Sequence, residues 1–138
     1  MILETYDNFY VVKNAISDTQ IDILTNWFET REYLTKKNGI VEIRTNDNKW
    51  NTDSLYKQKI NLHRDLEIGY PNRKYIVGFQ LSDSDSYVGG NLYIENSKGE
   101  YIKCDRDKGS AIIYKPSLMH YVSTITKGSR YVFNECVS

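Results

Sequence analysis

From Gly39 onward, short stretches that alternate apolar and polar residues follow one another between turn signals, with no helical period among them. This feature limits the fold more than any other. Alternation at a period of two sets one face of each stretch on a core and turns the other to solvent. Eight stretches are legible: GIVEIR, YKQKINLH, KYIVGFQLS, NLYIE, EYIKC, SAIIYK, MHYVSTI and SRYVFNECV. Breaks fall at Gly69-Tyr70-Pro71, Asp83–Ser86, Gly89-Gly90, Ser97–Gly99, Lys108-Gly109 and Lys127-Gly128. Eight short strands without intervening helices predict a mainly β fold, a double-sheet jelly roll or a small barrel. The polar stretch Thr45–Ser54 reads as a loop.

Upstream the period changes. Ser17 and Gln20 have capping-box spacing, and Asp18 adds negative charge to a first turn. Ile21, Leu24 and Phe28 recur at helical spacing with Trp27 beside them, which predicts a helix over 17–30 that covers a sheet face. A strand is expected just before it, near Asn8–Lys13. The chain of 138 residues therefore reads as one domain. Residues 1–38 supply an N-terminal strand and supporting helix, and residues 39–138 the jelly-roll core.

Composition narrows the function classes. Lys plus Arg and Asp plus Glu number 18 each, so the formal net charge is zero. That balance argues against a nucleic-acid or anionic-membrane binder. Two cysteines, Cys104 and Cys136, are too few for a disulfide framework and fit a reducing compartment as packed strand residues. No signal peptide is apparent, and no apolar run approaches the roughly 20 residues that span a bilayer. The expected location is the cytoplasm, without membrane contact. The Lys-, Asn-, Ile- and Tyr-rich composition suggests an AT-rich microbial or viral genome, and in the viral case the host cytoplasm.

Only two histidines are present, His63 and His120. His63 opens His63-Arg64-Asp65 at the end of an expected strand, and residues i and i+2 share a face of an extended chain. Two imidazoles and one carboxylate make the facial set typical of non-haem Fe(II), with open positions for other ligands. A His-x-Asp triplet also arises in ordinary packed or surface strands. The surrounding residues carry more. Downstream of Leu81-Ser82-Asp83 and Gly89-Gly90-Asn91-Leu92, the chain runs Gly109 through Pro116-Ser117 to His120, then Gly128-Ser129-Arg130.

In order and spacing, Lys59–Val137 resembles the 2-oxoglutarate- and Fe(II)-dependent dioxygenase superfamily, in its prolyl 4-hydroxylase-like branch. The resemblance implies that His63, Asp65 and His120 hold Fe(II) and that Arg130 binds the distal carboxylate of 2-oxoglutarate. Tyr114, Gln80 and Asn134 are further candidates for the cosubstrate pocket, although many relatives carry tyrosine or threonine at the positions of Gln80 or Asn134. The implied cofactors are Fe(II), 2-oxoglutarate and O2, with ascorbate as a reductant. Retention of Asp65 favours hydroxylation over the halogenation of relatives that lack this carboxylate.

The implied reaction is hydroxylation of a C–H bond, with succinate and CO2 as coproducts. The leading substrate class is a prolyl or other amino-acid residue in a peptide or protein. Oxidation of a small molecule or nucleobase is the alternative within the superfamily. Outside it stand a non-catalytic jelly-roll binding module and a cupin-like isomerase that uses metal alone. Trp50, Tyr56 and Tyr70 are read as loop aromatics around a mouth, Gly89-Gly90 as a tight turn or close backbone approach, and Lys103–Lys108 as a solvated hairpin. The length suits a monomer or a homodimer.

Overall fold

Hydrogen bonding divides the strands between two sheets in the computed structural model, which describes residues 2–29, 39–46, 49–57, 59–65 and 74–137. In chain order the elements are β1 (Ile2–Thr5), β2 (Phe9–Lys13), α1 (Asp18–Glu29), β3 (Gly39–Asn46), β4 (Lys49–Lys57), β5 (Ile60–His63) and β6 (Tyr75–Gln80). There follow β7 (Tyr87–Val88), β8 (Leu92–Glu95), β9 (Tyr101–Lys103), β10 (Ala111–Tyr114), β11 (His120–Val122) and β12 (Lys127–Val137). The large sheet runs β1-β2-β10-β6-β12-β3-β4, with β7 paired to the start of β12. The small sheet runs β5-β11-β8-β9. The protein is thus mainly β with one helix among its described residues.

Period-two alternation explains how the large sheet serves two surroundings. On β12, Arg130, Val132, Asn134 and Cys136 face the space between the sheets, whereas Tyr131 and Phe133 face α1. On β6, Ile76, Gly78 and Gln80 face inward and Phe79 faces the helix. The inner layer packs Phe9, Val11, Ile76, Ile112 and Tyr114 of the large sheet against Ile94 of the small one and Cys104 just beyond it. Cys136, on β12, is buried in the same layer.

Helix α1 closes the outer face. Its start is the expected capping box: the Gln20 side chain accepts from the Ser17 amide at 2.9 Å, and Ser17 Oγ accepts from the Gln20 amide at 3.2 Å. Ile21 is only 2% exposed and packs with Leu24 against Val41, Leu81, Phe79 and Phe133. Burying a side chain of this size contributes about 1.5–3 kcal/mol. Gly89 meets the expected close approach, since at φ 79° an added Cβ would lie 2.0 Å from the Thr124 carbonyl oxygen.

Four expectations need correction. The described residues of Thr45–Ser54 are strand and not loop, since Thr45-Asn46 ends β3 and residues 49–54 belong to β4, paired in antiparallel register at Thr45↔Trp50 and Asn46↔Lys49. Its polarity suits the place of β4 at the margin of the sheet, where charged and polar residues discourage further pairing. Trp50 and Tyr56 therefore stand on a strand, while Tyr70 and most of Leu66–Lys74 lie outside the described residues. The stretch YKQKINLH is two strands, because Tyr56-Lys57 closes β4 in the large sheet and Ile60–His63 forms β5 in the small one.

Lys103–Lys108 is more than a solvated hairpin. Arg106 donates to the carbonyls of Gly89, Ser84 and Tyr87 and to Asn91 Oδ1 at 2.7–2.9 Å, with its guanidinium 3.8 Å above the Tyr87 ring. It anchors the segment that leads into β8.

Candidate active site

The small sheet supplies one end of an internal cavity. Strands β5 and β11 are antiparallel, and their register sets His63 directly opposite His120. The two rings lie 4.2 Å apart between centroids. Each ring is oriented by a carbonyl two residues earlier in the chain: His63 Nδ1 meets that of Asn61, on β5, at 2.7 Å, and His120 Nδ1 meets that of Leu118, in the turn before β11, at 3.1 Å. A carbonyl can only accept, so each Nδ1–H is engaged on the backbone and Nε2 is the nitrogen turned to Asp65.

Asp65 completes the group. It lies two residues beyond the end of β5, and its amide donates to the Pro116 carbonyl at 3.0 Å, tying it to the turn before His120. Its Oδ1 lies 3.2 Å from His63 Nε2 and its Oδ2 3.1 Å from His120 Nε2. The ligand atoms of His63, Asp65 and His120 all fall within 4.8 Å of one another. Burial opposes ionisation of Asp65, but hydrogen bonds from His120 and His63 outweigh it and hold the carboxyl well below the usual carboxylate range. The Tyr114 hydroxyl, on β10, lies 3.4 Å from Asp65 Oδ2 and 3.3 Å from His120 Nε2. Access differs across the group, since the His63 side chain is 32% exposed and that of His120 only 5%.

The large sheet supplies the other end. Arg130 on β12 is buried, and its Nη2 donates to Gln80 Oε1 at 3.1 Å. Its Nε–H has no hydrogen-bond partner among the described residues. Burial pulls its pKa down, opposed by Tyr87, Glu42 and Tyr114, which favour the cation. A buried guanidinium with an unmatched donor is a ready receptor for an anion. Asn134, two turns of the pleat further along β12, leans over Gly78, where an added Cβ would meet its Oδ1 at 2.7 Å. Gln80, Tyr114, Arg130 and Asn134 thus line the cavity that holds His63, Asp65 and His120, and the structure brings every expected site residue to one place.

One charged lining residue is absent from the sequence expectations. Glu42, on β3, is 2% exposed and accepts a hydrogen bond from Asn134 Nδ2. Its signal was present in Gly39-Ile40-Val41-Glu42-Ile43, where a charge interrupts an apolar run at the parity of the buried Ile40. Cys104 needs no chemical role: burial pushes its thiol up to about 12, which leaves it protonated and inert.

Two imidazoles and a carboxylate whose ligand atoms converge could hold one metal ion, and a buried guanidinium lines the same cavity. No family model matches the chain. Over 52 residues it is 46% identical to a PKHD-type hydroxylase of Rippkaea orientalis, covering 38% of this chain and 23% of that protein. Over 51 residues it is 45% identical to a PKHD-type hydroxylase of Alteromonas mediterranea, covering 36% and 22% respectively. The matches thus span less than a quarter of these curated relatives. A 2OG-Fe(II) oxygenase family oxidoreductase from Burkholderia pseudomallei aligns with 97% of this chain and 69% of its own, at 14% identity and a TM-score of 0.46. In its motif order and its local identity to the PKHD-type hydroxylases, the chain is similar to the 2-oxoglutarate- and Fe(II)-dependent dioxygenases of the prolyl 4-hydroxylase-like branch.

Proposed function

We propose that this protein is an Fe(II)- and 2-oxoglutarate-dependent dioxygenase that hydroxylates a C–H bond of a prolyl or other amino-acid residue in a peptide or protein. The observation that carries the reading is the pairing, in one cavity, of the His63/Asp65/His120 set with Arg130, whose buried Nε–H has no partner among the described residues. Both ends fit the groups they would hold. Two imidazoles and a carboxylate suit Fe(II) and leave positions open, and a guanidinium fork matches a carboxylate. The curated relatives bear the name PKHD-type hydroxylase, which supports the same reaction class. The two-sheet arrangement is read as the double-stranded β-helix of that superfamily.

When bound, Fe(II) and the 2-oxo acid together supply the O2 chemistry that attacks an unactivated C–H bond, releasing succinate and CO2. The chain's own residues do the positioning. His63 and His120 keep Nε2 aimed at the metal because their Nδ1 protons are engaged on backbone carbonyls. Asp65 stays ionised, and the Tyr114 hydroxyl steadies it. Arg130, held by Gln80, fixes the distal carboxylate of the cosubstrate, while Ile60, Leu92, Val122 and Val132 keep water from the middle of the cavity. The exposed edge of His63 is the side from which substrate approaches.

The test is an anaerobic titration of the protein with Fe(II) and then 2-oxoglutarate, with His120→Ala as control. A weak visible charge-transfer band in the wild type alone is expected. Iron binding without that band would point to a cupin-like metal enzyme, and absence of iron binding to a non-catalytic module. Prolyl peptides should then stimulate succinate release; stimulation only by small molecules would overturn the substrate class.

A further inference from the structure

We propose that Glu42 tunes cosubstrate selectivity by setting a second carboxylate beside Arg130 in the cavity wall, so that the pocket holds the distal carboxylate of a 2-oxo acid less tightly than Arg130 alone would. The proposal rests on the Fe(II)/2-oxo acid reading above and concerns only its arginine end. Its basis is geometric. Strands β3 and β12 pair in parallel, with Ile40 beside Arg130, Glu42 beside Val132 and Arg44 beside Asn134. Glu42 shares the inward parity of Ile40, so its carboxylate lines the cavity along the wall that carries Arg130 and Asn134. Asn134 donates to it from one side, and its charge acts on Arg130 from the other.

An acidic side chain at the anion-binding end of a pocket has a calculable sign. Charges interact strongly in a space shielded from water, so a ligand carboxylate approaching Arg130 meets attraction from the guanidinium and repulsion from Glu42. A methyl group at the same place meets neither. Glu42 therefore lowers affinity for a 2-oxo diacid while leaving a 2-oxo monoacid of equal length nearly untouched. Asp65 is the other carboxylate of the cavity, and both its oxygens are engaged with the two imidazoles. Tyr87 and Tyr114, the other side chains acting on Arg130, bring no carboxylate to this end.

The experiment compares two ligands on Mn(II)-loaded protein, by calorimetry: 2-oxoglutarate and 2-oxopentanoate, which replaces the distal carboxylate by a methyl group. Glu42→Gln should tighten 2-oxoglutarate about tenfold, equal to about 1.4 kcal/mol, and leave 2-oxopentanoate within about twofold. Gln keeps an acceptor for Asn134, so the local hydrogen bond survives. Glu42→Met, which puts an apolar group of similar length in the same space, carries the same prediction if the amide variant proves unstable. Equal shifts for both ligands, no shift, or weaker 2-oxoglutarate binding would make Glu42 a structural residue and overturn the inference alone. Failure of wild type and variants to bind either acid while holding Mn(II) would overturn the cosubstrate reading as well.

Discussion

The two ends of the cavity are built differently. At the metal end, each imidazole is oriented by a carbonyl two residues before it in the chain, and Asp65 follows His63 by the same interval. Only one long-range fact is needed, the register that sets His63 opposite His120. At the arginine end, Glu42, Gln80 and Arg130 come from three neighbouring strands, β3, β6 and β12, with Asn134 further along the last. The polar groups of the metal end are matched to one another, whereas the arginine end keeps a buried donor without a described partner. The difference teaches where preorganisation resides: within short stretches of chain at one end, in the order and register of the sheet at the other.

Substitutions should separate the ends. His120→Ala should abolish Fe(II) binding, measured by anaerobic titration, because the facial set loses a ligand that is 95% enclosed. If the variant still binds iron tightly, the metal end is misassigned. Arg130→Ala should weaken 2-oxoglutarate about a hundredfold with metal affinity almost unchanged, and should lower stability through loss of its hydrogen bond to Gln80. Chemical denaturation beside the titration reads both effects, and a parallel loss of metal would erase the proposed division.

Gly78→Ala probes the arginine end through shape alone. A Cβ there must push Asn134 aside, and a loss of about tenfold in 2-oxoglutarate affinity is expected with Fe(II) binding retained. Tyr114→Phe works at the other end, removing a hydroxyl near both Asp65 and His120, and should weaken metal binding about tenfold. A larger effect on 2-oxoglutarate than on metal would instead assign Tyr114 to the cosubstrate. Ser17→Ala touches neither end: loss of the helix cap should lower stability by about 1 kcal/mol and leave both affinities unchanged.

Much of this arrangement can be read before any coordinates. The capping box at Ser17 and the spacing of Ile21 and Leu24 place α1 to within a residue of its observed ends, because helix signals act over one or two turns. Alternation in β6 and β12 already separates Arg130, Asn134 and Gln80 from Phe79, Tyr131 and Phe133. The polar strand β4 was missed, since its pairing with β3 owes nothing to an apolar face of its own that a periodicity could reveal. The short β1 and β7 were missed as well, being four and two residues long.

By itself, then, the sequence determined which side chains share a face, where the helix begins, and that two imidazoles, a carboxylate and a guanidinium stand at a characteristic spacing. Only the tertiary structure decided that residues 56–63 divide between two sheets, that β3 runs parallel to β12, and that Glu42 consequently stands in the wall beside Arg130. The physical reason is one of range. A period of two is set by the geometry of adjacent residues, while strand order and register are set by backbone pairing between segments far apart in the chain, and nothing local names the partner.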